Sequence, residues 1–169
     1  MIEQHASCAC GRVRLRVVGE PIAVAACCCT DCQAGGRMIE ALPGAAPIRD
    51  AFGGTPYLTY RNDRFVCETG AEALEGIKLS EGAPTTRFVA TCCNSGMYLK
   101  FGPGWWTSVY RARFPDGAPP VRFRTKIDSL PAGVTPPDDI PAYRGFPPAL
   151  MGPLLWARLA MWLAPSTGR

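Results

Sequence analysis

Nine cysteines, most of them in short clusters, constrain this 169-residue chain more than any other feature. The clusters are Cys8-Ala9-Cys10, Cys27-Cys28-Cys29-Thr30-Asp31-Cys32 and Cys92-Cys93, and Cys67 stands apart. An odd number of thiols is not typical of a disulfide framework. The first seven residues contain Glu3 and no apolar run, so no secretory signal is indicated. We therefore expect a reducing, cytoplasmic location, where clustered thiols commonly bind metal ions.

The densest cluster has the spacing C-x-C-x-x-C, formed by Cys27, Cys29 and Cys32. Residues two apart on an extended chain point the same way, so Cys27 and Cys29 can share one metal. A turn over Thr30-Asp31 would bring Cys32 to the same ion, and three convergent thiolates nearly complete the tetrahedral set of zinc. We predict a zinc site at this trio, with Cys28 pointing to the opposite face. The alternative is a small apolar cysteine cluster, because free cysteine is often buried.

Cys8 and Cys10 form a second C-x-C pair, which needs further ligands from elsewhere in the chain. Cys92 and Cys93 are the candidates. Adjacent residues of a regular strand point to opposite faces, so both can reach one metal only if the strand ends there. The turn signal Asn94-Ser95-Gly96 predicts such an end. We predict that the first pair and at least one of the second share a zinc ion, the alternative being that Cys92 or Cys93 is a core residue.

Two further side chains are predicted to take no part in metal binding. Cys67 lies two residues after Phe65 on one face of an apparent strand, which indicates a core position. His5 is the only histidine and lies in a polar N-terminal segment, so we expect it to be solvated.

The composition and patterning favour a mainly β fold. The 18 glycines and 17 prolines are typical of short strands joined by turns. Val13, Leu15 and Val17 alternate with arginines, which predicts a half-buried strand within residues 10–18. Residues 33–56, rich in Gly, Pro and Ala, are predicted to be an irregular connection. Further short strands are predicted at residues 21–28, 57–60, 65–68, 76–79, 87–91, 97–101 and 121–127.

The C-terminal part has a different character. A domain over residues 1–128 is predicted to be followed by a Pro-rich connector at 129–148 and an apolar segment at 149–169. Within it, Pro153 to Ala164 predicts a helix about 18 Å long, too short to span a bilayer core of about 30 Å. A helix this apolar must bury more than one face, against its own domain, a second copy in a homodimer, or a peripheral membrane surface. The net charge of +4 gives no strong nucleic-acid signal.

The cysteine order as a whole resembles the glutathione-dependent formaldehyde-activating (GFA), or centromere protein V-like, family in a divergent branch. The resemblance spans residues 5–125. It implies a small zinc-stapled β-sheet domain of the GFA-like, β-tent type, here with a short C-terminal helix. The residues that carry the resemblance are Cys8, Cys10, Gly11, Cys27, Cys29, Cys32 and the stretch 87–95.

In that family the first C-x-C and a later C-x-x-C pair hold a structural zinc, and the trio holds a second zinc with an open position. The resemblance thus implies one or two Zn²⁺ ions per chain. This sequence departs from the pattern at two places. Cys28 stands where the family often has histidine. Aligning Cys93 with the last cysteine of the later pair places Ala90 where its first should be, so either Cys92 substitutes or the site has three protein ligands.

The resemblance also implies carbon–sulfur lyase activity on an adduct of glutathione, or another small thiol, with an aldehyde. A soft, thiolate-rich zinc with an open position suits a thiol, whose pKa it lowers. Arg37 and Arg61 are candidates to pair with the carboxylates of glutathione, and the sequence assigns no catalytic residue. The alternatives are a non-catalytic zinc-stapled module that docks protein or nucleic acid, and a protein for thiol-based metal handling.

Overall fold

The computed structural model describes residues 2–115 and 117–163, which form two β-sheets and two α-helices. The prediction of a mainly β fold with a short C-terminal helix is confirmed. The strands are β1 (Glu3–Ser7), β2 (Arg14–Val18), β3 (Ala23–Cys27), β4 (Thr55–Arg61), β5 (Phe65–Thr69), β6 (Leu74–Ile77), β7 (Thr85–Ala90), β8 (Ser95–Phe101), β9 (Trp106–Tyr110), β10 (Phe123–Thr125) and β11 (Ala142–Tyr143). The helices are α1 (Thr30–Glu40) and α2 (Pro148–Leu163).

The smaller sheet has the strand order β1-β2-β5 and is antiparallel. The predicted alternation is confirmed, because Val13, Leu15 and Val17 are fully buried against the larger sheet. The N-terminal segment is not the solvated tail that its polarity suggests. It forms β1, and His5 pairs with Arg16 across the sheet with its side chain about half exposed.

The larger sheet has the strand order β11-β10-β3-β4-β9-β8-β7-β6. Strand β10 lies parallel to β3 and to β11, so residues from late in the chain lie beside the strand that leads into the cysteine trio. Strand β11 belongs to the predicted connector, which also carries Asp139, paired with Arg124 of β10 at 2.7 Å. The connector is thus tied to the sheet, and its separate status as a segment stays a prediction.

Helix α1 corrects the prediction of an irregular connection from residue 33 and of a simple turn over Thr30-Asp31. Gly35 and Gly36 lower the helix propensity of this segment, so its sequence is typical of a loop. The structure shows why they are there: a Cβ at position 35 would lie 2.0 Å from Nε of Arg87, so only glycine lets the helix approach the sheet this closely. Helix α1 packs Ile39 on the face of the larger sheet opposite the smaller sheet.

Helix α2 begins at Pro148, five residues before the predicted start, and Pro153 lies inside it. Leu154 and Ala157 are buried, and the backbone carbonyl of Leu154 accepts a 2.8 Å hydrogen bond from Nε1 of Trp105. The predicted end at Ala164 lies outside the described residues. Among the described helices, none combines the length and the apolarity that crossing a membrane requires. The outward face of α2 exposes Leu155, Trp156, Leu159, Trp162 and Leu163.

Candidate metal centres and the adjoining cavity

The first cysteine group joins the two sheets. Cys8 and Cys10 follow β1, and Cys92 and Cys93 lie in the turn between β7 and β8. All four Sγ atoms lie within 4.8 Å of one another. The Sγ of Cys10 is 3.5 Å from that of Cys8 and 3.4 Å from that of Cys92. Four sulfurs at about 2.3 Å from a tetrahedral zinc are about 3.8 Å apart, so this group has the dimensions of a four-thiolate site.

The turn between β7 and β8 explains how two adjacent cysteines reach one point. Strand β7 ends at Ala90, and Asn94 adopts a positive φ of 52° before β8 begins. Because the strand has ended, Cys92 and Cys93 need not point to opposite faces. Both therefore join the group, whereas Ala90 is a buried residue outside it. The structure favours the alternative in which Cys92 takes the place of the missing family cysteine, and ligation itself stays a prediction.

A buried cation lies beside the first group. Arg113 is almost fully buried, and burial lowers its pKa while the thiols of Cys93 and Cys8 act in the opposite direction. Burial raises the pKa of Cys93, but the hydrogen bond with the Ser95 hydroxyl and contacts with Cys10 outweigh it and lower the pKa to about 6. Four thiolates around Zn²⁺ carry a net charge of about −2, and a buried guanidinium offsets part of it.

The second group is the predicted trio, and the structure brings its three Sγ atoms within 4.8 Å of one another. Cys27 ends β3, Cys29 is the N-cap of α1, and Cys32 lies in the first turn of that helix. The backbone N–H of Cys32 donates to Sγ of Cys29 at 3.3 Å, and the Tyr57 hydroxyl donates to Sγ of Cys32 at 3.7 Å. The positive end of the helix dipole also favours thiolates there. This set can hold a metal ion and leave one position open.

The close approach of the three sulfurs shifts the pKa of each thiol in the trio. Hydrogen bonds from Cys29 and then Cys32 lower the pKa of Cys27 to about 3. The same contacts raise the pKa of Cys29 and of Cys32, since those thiols act as the donors. A metal ion placed there would replace the shared protons, as the chemistry of a thiolate site requires. A group of three converging sulfurs, one of them a thiolate, therefore has a donor set that suits Zn²⁺.

Cys28 and Cys67 lie outside both groups. Cys28 does not converge with the trio, in agreement with its predicted orientation; it is fully buried, and burial followed by repulsion from Asp50 raises its pKa to about 12. It is therefore a neutral thiol. Cys67 is half-buried and packs on the core between the sheets, which confirms its predicted core position only in part.

Arg87 is the residue of the site that sequence reasoning missed. It lies on β7 with 1% of its surface exposed, and its Nη2 donates to the Asp31 carbonyl in the first turn of α1 at 2.7 Å. Its Nε and Nη1 have no hydrogen-bond partner among the described residues. From the sequence, a single arginine within a strand is expected to face solvent. The Gly35-Gly36 pair was the feature of the sequence that could have indicated a large side chain packed against the helix.

A cavity of about 400 Å³ opens beside the trio, between the larger sheet and the start of α2. Its lining is mostly apolar. Arg37 and Arg61, the predicted partners of glutathione carboxylates, are not part of it: Arg37 is exposed on α1, and Arg61 pairs with Asp63. The lining residues are Ala25, Cys27, Cys29, Asp31, Cys32, Tyr57, Thr59, Thr85, Arg87, Leu99, Phe101, Trp106, Ser108, Thr125, Phe146, Leu150, Met151 and Leu154.

The fold and these sites define a small, mainly β protein with two cysteine groups able to hold metal ions, one of which adjoins an apolar cavity. Residues 3–42 match the family model described as glutathione-dependent formaldehyde-activating enzyme, which agrees with the resemblance that the cysteine order indicates. The matched stretch contains Cys8, Cys10 and the whole trio.

Among solved structures, a crystal structure of a Rhodobacter sphaeroides protein from a structural genomics programme aligns with a TM-score of 0.48 and 17% identity. The alignment covers 70% of this chain and 92% of that chain. No curated protein matches the chain.

Proposed function

We propose that this protein is a zinc-dependent carbon–sulfur lyase that makes or breaks the adduct of a small thiol, such as glutathione, with an aldehyde. The observation that supports the proposal is a group of three converging thiols that lines a cavity of about 400 Å³. A four-thiolate site is closed, whereas a three-thiolate site keeps a place for a ligand. The first group would then stabilise the fold and the trio would carry out the chemistry, with one Zn²⁺ at each.

The reaction needs no oxidant and no second cofactor. In the breakdown direction the C–S bond of a hydroxymethyl thioether breaks, the electron pair stays on sulfur, and the hydroxyl proton leaves as the C=O bond forms. A zinc ion held by the trio would supply a thiolate-stabilising Lewis acid at the sulfur. Formation of the adduct is the reverse sequence, with the thiol proton released and the carbonyl oxygen protonated.

Residues around the trio fix the position of its sulfurs and form the apolar wall beside them. Arg87 holds the Asp31 carbonyl and so fixes the first turn of α1, which carries Cys29 and Cys32. Tyr57, which is buried beside the cavity, donates its hydroxyl to Sγ of Cys32 and so helps to fix that sulfur. A ligand seated against the apolar walls would displace water, which would strengthen electrostatic interactions inside the cavity. All nine cysteines are free, which agrees with a reducing, cytoplasmic location as part of the proposal.

Exchange NMR tests the activity directly. Zinc-loaded protein should accelerate the exchange between formaldehyde, a thiol and the S-hydroxymethyl adduct. Glutathione is the first thiol, and other small thiols follow. Cys29→Ser should remove the acceleration, whereas Cys67→Ser, outside both groups, should retain it. An exchange rate equal to the uncatalysed rate for every thiol, with zinc confirmed, contradicts the proposal.

A second candidate function is a non-catalytic zinc-stapled module that docks another macromolecule. The exposed apolar face of α2, with Trp156 and Trp162, favours this alternative, since exposed apolar patches often mark interaction surfaces. A protein partner fits that surface better than nucleic acid does. Loss of adduct exchange together with retained zinc would favour this function over the lyase.

A further inference from the structure

We propose that the cavity beside the trio selects an apolar thiol in preference to glutathione. The inference rests on the proposed function for the trio, but it concerns only which thiol the cavity accepts. It follows from three features of the described residues: the apolar walls, the scarcity of cations, and the contribution of α2.

Aromatic and aliphatic side chains form the walls. Leu99, Phe101 and Trp106 rise from the larger sheet, and Phe146 and Leu154 close the cavity from the C-terminal side. Pockets of this composition bind chiefly through the apolar area that they remove from water. A thiol with an aromatic or branched aliphatic body would place that body against these walls while its sulfur reaches the trio.

Positive charge is scarce in the cavity. Among the described residues that line it, Arg87 is the one cationic side chain, and it already donates to the Asp31 carbonyl. Its unpartnered Nε and Nη1 are themselves buried, and Nε lies against Gly35 of α1, so neither atom is presented to a ligand in the cavity. Glutathione carries two carboxylates and an ammonium group, and burying an ionised group without a partner is costly. The described lining residues therefore offer the carboxylates of glutathione no free cation.

Helix α2 is the part of the wall that tests this idea most cleanly. Leu154 lines the cavity with 6% of its surface exposed, and its backbone carbonyl is held by Trp105 independently of the side chain. Leu155, next to it in the same helix, is 58% exposed and does not line the cavity. Alanine substitutions at the two positions thus change the same helix by the same atoms, one inside the cavity and one outside. Met151, 43% exposed at the rim, allows a milder truncation of the wall.

The experiment uses full-length protein loaded with Co²⁺, whose sulfur-to-metal absorption reports ligation at the open position. The probes are phenylmethanethiol, 2-mercaptoethanol and glutathione, titrated separately, with the Cys29→Ser variant as the blank. We expect phenylmethanethiol to bind about tenfold tighter than either other thiol, because only its body buries apolar area. Leu154→Ala should weaken phenylmethanethiol about fivefold, Met151→Ala about twofold, and Leu155→Ala not measurably.

Glutathione binding as tightly as phenylmethanethiol overturns the inference, and so does a Leu154→Ala protein that binds phenylmethanethiol unchanged. If Leu154→Ala fails to fold, the ranking of the three thiols on the unmodified protein and the Met151→Ala variant decide the matter. The outcome is separable from the proposed function. Adduct exchange with glutathione as the preferred thiol keeps the lyase and rejects the apolar selectivity, whereas tight apolar binding without exchange does the reverse.

Discussion

Substitution of Gly35 by alanine tests the packing that builds the trio. The new Cβ would lie 2.0 Å from Nε of Arg87, 2.5 Å from its Cζ and 2.7 Å from its Cδ. Ordinary contact starts at 3.4 Å, so the two groups must separate by about 1.4 Å. Arg87 has little room to move, because it is 1% exposed and bonded to the Asp31 carbonyl. The helix must therefore lift from the sheet, or that hydrogen bond must break.

The expected cost combines three contributions. Overpacking a close contact costs about 2 kcal/mol, and losing a hydrogen bond to a charged donor costs about 2 kcal/mol more. Replacing glycine by alanine within a helix returns about 1 kcal/mol. We therefore expect Gly35→Ala to lower the free energy of unfolding by about 3 kcal/mol, and to reduce zinc at the trio because Cys29 and Cys32 move with the first turn of α1.

Gly36→Ala is the matched control. Its Cβ would lie 2.5 Å from Cδ of Arg49, which pairs with Glu40 but at 25% exposure has more room to shift than Arg87 has. The gain in helix propensity is the same, so the two variants differ mainly in which arginine they meet. Urea unfolding followed by circular dichroism and zinc analysis by mass spectrometry are the assays. If Gly35→Ala unfolds within about 0.5 kcal/mol of the unmodified protein and retains its zinc, the packing argument is wrong.

Three further results are expected. Elemental analysis of protein purified without chelators should find one or two zinc ions per chain, and a folded protein without zinc in reducing buffer would contradict both metal sites. Cys8→Ser or Cys10→Ser should lower the melting temperature strongly, because metal binding at a four-thiolate site is part of the folding free energy, while Cys29→Ser should remove one metal with a smaller effect. Deletion of residues 149–169 should abolish self-association or liposome binding, as light scattering and co-sedimentation would show; full-length protein that is monomeric and ignores liposomes would show that α2 only covers its own domain.

Much of the fold could be predicted where a local pattern was strong. The alternation around Leu15 predicted β2, because burial on one face imposes a period of two, and the short apolar run into Cys27 predicted β3. Strand β1 could not be predicted in this way. Its sequence is polar, and it is held by pairing with β2 rather than by its own burial.

The candidate site was predictable in its sulfurs and not in its surroundings. The spacing of the trio is a local property, so its convergence follows from the sequence alone. Helix α1 and the burial of Arg87 were not predicted, because they depend on one tertiary contact. Gly35 is typical of a loop in the sequence, and its place in a helix is explained only by the buried guanidinium of Arg87 packed against it. The cavity depends on Trp106 and Leu154, which tertiary folding brings together from distant parts of the chain.

The different spans of the two cysteine groups imply an order of assembly. The trio lies within one short stretch, whereas Cys8 and Cys92 are 84 residues apart and belong to turns of different sheets. Closing the longer loop costs about 2.5 kcal/mol more chain entropy than closing the short one. An unfolded or nascent chain can therefore capture an ion at the trio long before the first group exists. The four sulfurs of the first group meet only when both sheets have packed together. A metal ion bound by that group is therefore expected only in the fully folded protein.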